Sequence, residues 1–202
     1  MSNDLFVIGI TGGIGSGKSV VSRLLRLMGV PVYDCDREAK RLMCESVDIR
    51  EALIKVAGAE AYDAAGRLNR AYLASFMFGD AKRVAMVNGI VHPVVRADFK
   101  AWAGQAGKSV VAVESAILFE AGMDAYVDAV WLVHAEEDIR LQRAMRRDGA
   151  CEKAVRSRMQ NQLTEQEYVE RADAVICNDG KRSLIGQLLS LLAHLRDEKA
   201  KG

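Results

Sequence analysis

Between Gly12 and Ser19 the chain reads Gly-Gly-Ile-Gly-Ser-Gly-Lys-Ser, which satisfies the spacing G-x-x-x-x-G-K-[ST]. Glycine at positions 12, 13, 15 and 17 lets a backbone wrap close to a polyphosphate, in conformations closed to other residues. The N–H groups of Gly13, Ile14, Gly15, Ser16 and Gly17, with a helix N-terminus behind them, form a nest of partial positive charge. Lys18 is long enough to reach the outer phosphates, and the Ser19 hydroxyl suits Mg²⁺. The chemistry these residue types serve at this spacing is the handling of a nucleoside triphosphate.

Three further sets of side chains bear on where a terminal phosphoryl group would go. Asp34 and Asp36 follow an apolar run and could bind Mg²⁺ or accept a proton from an attacking hydroxyl. Two residues apart on a strand, they would face one side. The plainer reading of Asp36 is a helix N-cap ahead of Arg37. Glu114 ends a second apolar run, the place of an acidic residue that holds Mg²⁺ directly or through water. Arg140, Arg143, Arg146 and Arg147 interleave with Leu141, Ala144 and Met145, and Arg140, Arg143 and Arg147 share one helical face. Guanidinium groups match phosphate oxygens bidentately and keep their charge. A solvated basic face is the commoner meaning of such a run, but a migrating phosphoryl group needs cations, and no other stretch offers such a cluster.

The elements that must position these groups alternate in type. Apolar runs at Leu5–Ile10, Val30–Tyr33, Val110–Val113, Ala129–Val133 and Ala174–Cys177 predict five strands, with helical patterns between them. That alternation predicts a parallel sheet with right-handed crossovers, an α/β fold. Gly29 is expected to cap the first helix. Residues 37 to 57 read as helical with a break near Glu45-Ser46, and a segment with Leu73, Phe76 and Met77 follows a turn at Gly66. Asp63-x-x-Gly66 matches a guanine-nucleotide pattern by chance, since no apolar strand precedes it and no N-K-x-D follows. Residues 80 to 106 are helical, with a break expected near His92 and Pro93 opening the next helix, because an interior proline costs roughly 3 kcal/mol. His92 would then stand at a helix junction, a capping or structural histidine on spacing alone, with Arg96 one turn on. The interval from 37 to about 108 is too long for one crossover and predicts an inserted helical subdomain. One or two polar helices are expected over 151–171, a leucine-lined helix after 184, and a frayed tail from Lys199 to Gly202.

Bulk properties exclude several classes. The chain has 202 residues, 50% hydrophobic and 27% charged, with a formal net charge of +1. That suits one globular unit and gives no global field toward nucleic acid or membrane. The four cysteines, Cys35, Cys44, Cys151 and Cys177, have no C-x-x-C spacing, and the three histidines are far apart. Reduced thiols in a cytoplasmic protein are expected, not a disulfide or zinc framework. The short apolar run near the N-terminus ends in the glycine loop and reads as a strand, not a signal peptide.

Together these motifs resemble the dephospho-CoA kinase family over nearly the whole chain. Thr11 to Ser19 is similar to that family's phosphate loop, Asp34-x-Asp36 to its D-x-D, Gly66-x-Leu68-Asn69-Arg70-x-x-Leu73 to a further signature, and His92-Pro93 to its H-P pair. Arg143-x-x-x-Arg147-Asp148 and Gln162 resemble its lid, and Ala172-Asp173-x-x-Ile176-x-Asn178-x-Gly180 its last strand and adenine-side loop. The segment Glu114 to Glu120 departs from the family's D-x-P-L-L-F-E, with Glu114 for Asp and Ala116 for Pro. The resemblance implies a three-layer P-loop core over about 1–36, 108–140 and 172–202, an acceptor-binding insert over about 37–107 and an arginine-bearing lid over about 141–171. It implies transfer of a phosphoryl group from ATP, with Mg²⁺, to the ribose 3′-hydroxyl of dephospho-CoA by a monomer or weak homo-oligomer. Gly13 to Ser19 and Asn178 would hold ATP, with Lys18 on the phosphates and Ser19 and Glu114 toward the metal. Asp36 would be the base, with Asp34 as second choice. Arg143 and Arg147 would neutralise the moving charge, and Asn69, Arg70, His92 and Arg96 would receive the acceptor. The alternatives are another small-molecule kinase, such as a nucleoside-monophosphate kinase, and a nucleotide-dependent switch. The D-x-D and H-P pairs argue against the first, and the lack of a guanine-specificity motif against the second.

Overall fold

A computed structural model describes residues 5–199, with side chains to 196. In chain order the elements are β1 (Phe6–Thr11), α1 (Lys18–Leu27), β2 (Val32–Asp34), α2 (Cys35–Glu45), α3 (Val47–Ala57), α4 (Arg70–Met77), α5 (Ala81–Gln105), β3 (Val110–Glu114), β4 (Ala129–His134), α6 (Glu137–Asp148), α7 (Glu152–Met159), α8 (Glu165–Glu170), β5 (Ala174–Cys177) and α9 (Leu184–Lys199). The chain forms two compact units, Met1–Val32 with Lys108–Gly202, and Tyr33–Gly107. The expected tail beyond Lys199 lies outside the described residues.

The first unit is built on the expected α/β sheet, in the order β2-β3-β1-β4-β5. The pairs β1–β3, β1–β4 and β4–β5 are parallel. Along β1, Ile8 and Ile10 face a core formed by Val21 and Leu25 of α1 and by Leu188, Leu192 and Leu195 of α9. Trp131, Val133 and Ile176 supply the neighbouring strands' share of that layer. On the other face Gly9 leaves room for Leu118 and Val127, which would crowd any side chain there. Helix α1 ends where Gly29 adopts φ 85°, with its N–H on Arg26 O (3.1 Å) and the Val30 N–H on Leu25 O (3.0 Å). That is the reciprocal pair of bonds by which a left-handed glycine closes a helix.

Two strands begin with the same device. The Asp128 N–H donates to Val7 O (2.8 Å), and its carboxylate accepts the Val7 N–H (2.7 Å). The Asp173 N–H donates to Val130 O (2.9 Å), and its carboxylate accepts the Val130 N–H (2.7 Å). Each aspartate thus fixes the register of its strand against the preceding one before the ladder starts.

The second unit is helical. Ser46 separates α2 from α3 and caps the latter through the Ile49 N–H (3.3 Å). Asp63 closes its own turn by accepting from Ala65 and Arg67 N–H, both at 2.9 Å. One expectation fails here. Helix α5 runs unbroken through Pro93, so His92 is mid-helix and at no junction. Val87, Val91, Val95, Phe99 and Ala103 are buried at every fourth residue on both sides of the proline. Burying each of the larger four is worth about 1.5–3 kcal/mol, which outweighs one missing hydrogen bond and the ring's clash. That ring meets the carbonyl of Gly89, four residues back, and glycine tilts more readily than other residues.

The clamp at β5 makes a testable stability claim. Asp173→Ala strands the Val130 N–H and should lower stability by about 1–2 kcal/mol. Asp173→Asn keeps an acceptor and should melt close to the wild type in a thermal scan.

Candidate active site

In the first unit, the carboxyl end of β1 feeds the glycine loop into α1. Gly15 (φ 79°) and Gly17 (φ 99°) take left-handed conformations. They also have no room for a side chain: a Cβ on Gly15 would collide with Arg140 O, and one on Gly17 with Asn178 Nδ2. A Cβ on Gly13 would collide with Nη1 of Arg140. The loop is therefore moulded against α6 and the end of β5 as well as by its own dihedrals.

Its hydrogen bonds divide into two sets. The inward set is satisfied. Ser16 N–H donates to Gly13 O (3.1 Å), Asn178 Nδ2 to Ser16 O (2.7 Å), and Lys18 Nζ to Gly12 O (2.7 Å) and Gly13 O (3.3 Å). The Ile14 N–H donates to Oε1 of Gln162 (2.7 Å). The remaining set is open: the N–H groups of Gly15, Gly17 and Ser19 have no partner among the described residues. Three unsatisfied donors at the start of a helix are the signature of an anion seat. The Ser16 hydroxyl is fully buried without a partner, whereas Ser19 is exposed at the loop's rim.

The expected arginines are deployed unequally. Arg143 donates to Asn178 O (3.0 Å) and so braces the same asparagine that holds the loop. Arg147 turns to Asp148 (2.7 Å), which also meets Arg158 (2.8 Å). Those bonds bring the Asp148 carboxyl down to about 2. Arg140, sequence-visible only as one member of the basic face, has its guanidinium against Gly13. Gln162, quoted only within the resemblance, is on the loop itself. No periodicity or spacing would have found either contact, because each joins segments distant in sequence. At the edge of the sheet Glu114 pairs in register with Ile10, one residue before the loop. No cluster of three His, Cys, Asp or Glu residues suited to a metal exists among the described residues. A donor set of one hydroxyl, with an acidic residue ending the strand beside β1, suits Mg²⁺ carried mainly by phosphate oxygens and water.

The second unit holds the other expected residues. The strand β2 ends at Asp34 and a helix starts at Cys35, so the alternation expected of a strand does not relate Asp34 to Asp36. The cap is Asp34, not Asp36: its Oδ1 accepts the Arg37 N–H (3.0 Å). Asp36, in the first turn of α2, is exposed and has no partner among the described residues. Asn69 caps α4 through the Tyr72 N–H (3.2 Å), and Arg70 is exposed beside it. His92 and Arg96 lie one turn apart on α5. Burial, and then the charge of Arg96, hold the His92 imidazole below the usual histidine range.

A sheet in this order, with its central strand running through a glycine loop into a helix, defines a P-loop nucleotide-binding protein. Comparison with known proteins narrows the class. The profile of the family described as dephospho-CoA kinase matches residues 6–183. A dephospho-CoA kinase from Bacteroides fragilis strain YCH46 is 43% identical over 189 residues, 93% of this chain and 92% of that protein. One from Salinibacter ruber is 47% identical over 176 residues, 86% of this chain and 88% of that protein. The chain belongs to the dephospho-CoA kinase family. Among solved structures, TT1252 from Thermus thermophilus matches with a TM-score of 0.83 at 34% identity, covering 95% of this chain and 98% of that one. A shikimate kinase from Acinetobacter baumannii shares the fold, at a TM-score of 0.54 and 16% identity, over 96% of this chain and 94% of that one.

Two outcomes follow from the geometry. Gly17→Ala must displace Asn178 or strain the loop, so nucleotide affinity measured by calorimetry should fall at least about tenfold. For His92, the unfolded chain takes up a proton near pH 6.5 while the folded one resists it. Stability is therefore greatest above that pH and falls as pH drops through the window below it. His92→Gln should make the decline of melting temperature from about pH 7 to pH 5 shallower.

Proposed function

We propose that this protein transfers the γ-phosphoryl group of ATP to the ribose 3′-hydroxyl of dephospho-CoA, giving CoA and ADP. The observation that carries the reading is the row of open N–H donors at Gly15, Gly17 and Ser19, in a chain of this family. Those donors, with Gly13, Ile14 and Ser16, seat the triphosphate. Lys18 exchanges its carbonyl partners for phosphate oxygens and stabilises the charge that grows there. Ser19 would hold Mg²⁺ arriving with the nucleotide, with Glu114 near by; that ion would neutralise outer phosphate oxygens and orient them. Arg143 and Arg147 neutralise the migrating group, and Asn178 keeps the loop in shape on the nucleotide's adenine side.

Asp36 is the base that accepts the proton of the attacking 3′-hydroxyl. Its free carboxylate supports the role over Asp34, whose side chain is spent on a helix cap. Asn69, Arg70, His92 and Arg96 receive the acceptor, and the neutral state favoured for His92 makes it a hydrogen-bonding group, not a charge. Residues 37–107 are the acceptor-binding insert and 141–171 the lid. Cys35, Cys44, Cys151 and Cys177 form no disulfide among the described residues, which supports work in the cytoplasm; the working form in this reading is a monomer or weak homo-oligomer. No described helix is long and apolar enough to cross a membrane.

A substrate panel with ATP and Mg²⁺ tests the reading. Dephospho-CoA should be phosphorylated, with the product's new phosphate at the 3′ position by NMR; AMP, CMP and shikimate should be inert. Turnover of CMP or AMP without turnover of dephospho-CoA would refute it. Within the mechanism, Asp36→Asn should slow single-turnover transfer by about 10²-fold or more while leaving the KM for ATP within about threefold.

A further inference from the structure

Arg140 is the arginine of α6 that touches the loop most directly. Its main-chain carbonyl presses on Gly15 and its guanidinium on Gly13, so two of the loop's glycines are required by this one residue. Its Nε donates to Ala135 O (2.9 Å), which fixes the start of the side chain and leaves the two terminal nitrogens uncommitted. No carboxylate among the described residues lies within ion-pair distance of it. The contrast with its neighbours is sharp. Arg147 and Arg158 share Asp148, Arg156 is held by Glu137 (2.5 Å) and Glu152 (2.7 Å), and Arg171 by Asp124 (3.2 Å). Carboxylates thus neutralise these four arginines; Arg143 and Arg146 share with Arg140 the lack of one among the described residues, and of the three it is Arg140 whose guanidinium lies against Gly13.

A half-buried guanidinium without a counter-ion is costly unless an anion arrives to match it. Arg140 lines a cavity of about 450 Å³ with Gln162, Thr164 and the carboxylates of Glu137 and Glu165. Those carboxylates face other groups, Glu137 pairing with Arg156 (2.5 Å) and Glu165 lying 3.4 Å from His134, and on the loop's side Gln162 presents an oxygen acceptor to the Ile14 N–H. An oxygen is therefore accommodated within reach of the loop's amide beside Arg140 in the resting state, and a phosphate oxygen is the charged counterpart of that amide oxygen.

We infer that Arg140 is a further phosphate-contacting residue, supplying a guanidinium to the outer phosphates of the nucleotide over Gly13 and Ile14. The inference rests on the nucleotide-binding part of the reading above and not on the identity of the acceptor. Because Arg147 begins already paired, Arg140 carries more of the charge match than Arg147 does.

Binding isotherms for ATP and AMP, with wild type, Arg140→Gln and Arg140→Lys, separate this role from a structural one. Contact with outer phosphates predicts that Arg140→Gln weakens ATP binding about tenfold or more and AMP binding no more than about twofold. Arg140→Lys, which keeps a charge on a similar stem, should recover most of the loss. If Arg140 only braces the turn at Ala135, ATP and AMP affinities will fall by the same factor and lysine will not rescue. That result, or unchanged ATP affinity in Arg140→Gln, overturns the inference. Should Arg140→Gln fail to fold, Arg140→Met takes its place: a loss confined to ATP supports the contact, and an equal loss for both nucleotides, or no loss, refutes it. A wild type that binds ATP but leaves dephospho-CoA unphosphorylated would refute the acceptor assignment and leave this inference standing.

Discussion

The proposed nucleotide seat depends on a handful of amide N–H groups being kept from any partner of their own. Folding normally satisfies such donors, and leaving one buried and unmatched costs about 1–3 kcal/mol. Here the donors of Gly15, Gly17 and Ser19 stay open at the start of α1. The loop cannot relax to satisfy them because it is gripped on its outer side. Arg140 presses on Gly13 and Gly15, Asn178 binds Ser16 O, and Lys18 ties Gly12 and Gly13. The glycines serve two demands at once: they accept left-handed dihedrals and they admit neighbours where a methyl group would not fit.

The sheet makes this grip possible. The carboxyl ends of β1, β3, β4 and β5 lie side by side, so Thr11, Glu114, His134 and Cys177 end at one edge. The segments that follow β4 and β5 carry Arg140 and Asn178 onto the glycine loop that follows β1, the proposed phosphate seat. Registration has to be accurate for that to happen, and the two aspartate clamps at Asp128 and Asp173 set it at the opposite end of the strands. A resting loop is then maintained by surrogates: a lysine on carbonyls and a glutamine amide on the Ile14 N–H.

Much of this was legible in the sequence because it is written in local patterns. The five apolar runs became the five strands, and Gly29, Ser46 and Gly66 fell where turns and caps require them. The phosphate loop was legible because its spacing is itself the geometry. Where local rules misled, a longer-range effect had won. The local rule for proline predicts a break at Pro93, but burial of Val87, Val91, Val95 and Phe99 outweighs its local cost. Strand alternation predicts Asp34 and Asp36 on one side, but the helix begins one residue after Asp34, which caps it. The contacts of Arg140, Gln162 and Asn178 with the loop span well over a hundred residues of chain. A single sequence carries no trace of pairing at that distance except as composition: a basic face, a glutamine, an asparagine after a strand.

The seating of Arg140 against two glycines also fixes how closely α6 can lie on the loop. A methyl group at Gly13 or Gly15 would meet Arg140, so the first turn of α6 keeps this position only while both stay glycine. Beyond it, Leu141 and Ala144 pack on Val155 in a small separate core. Helix α6 thus divides its contacts between two neighbours, its first turn lying on the glycine loop and its next turns on α7.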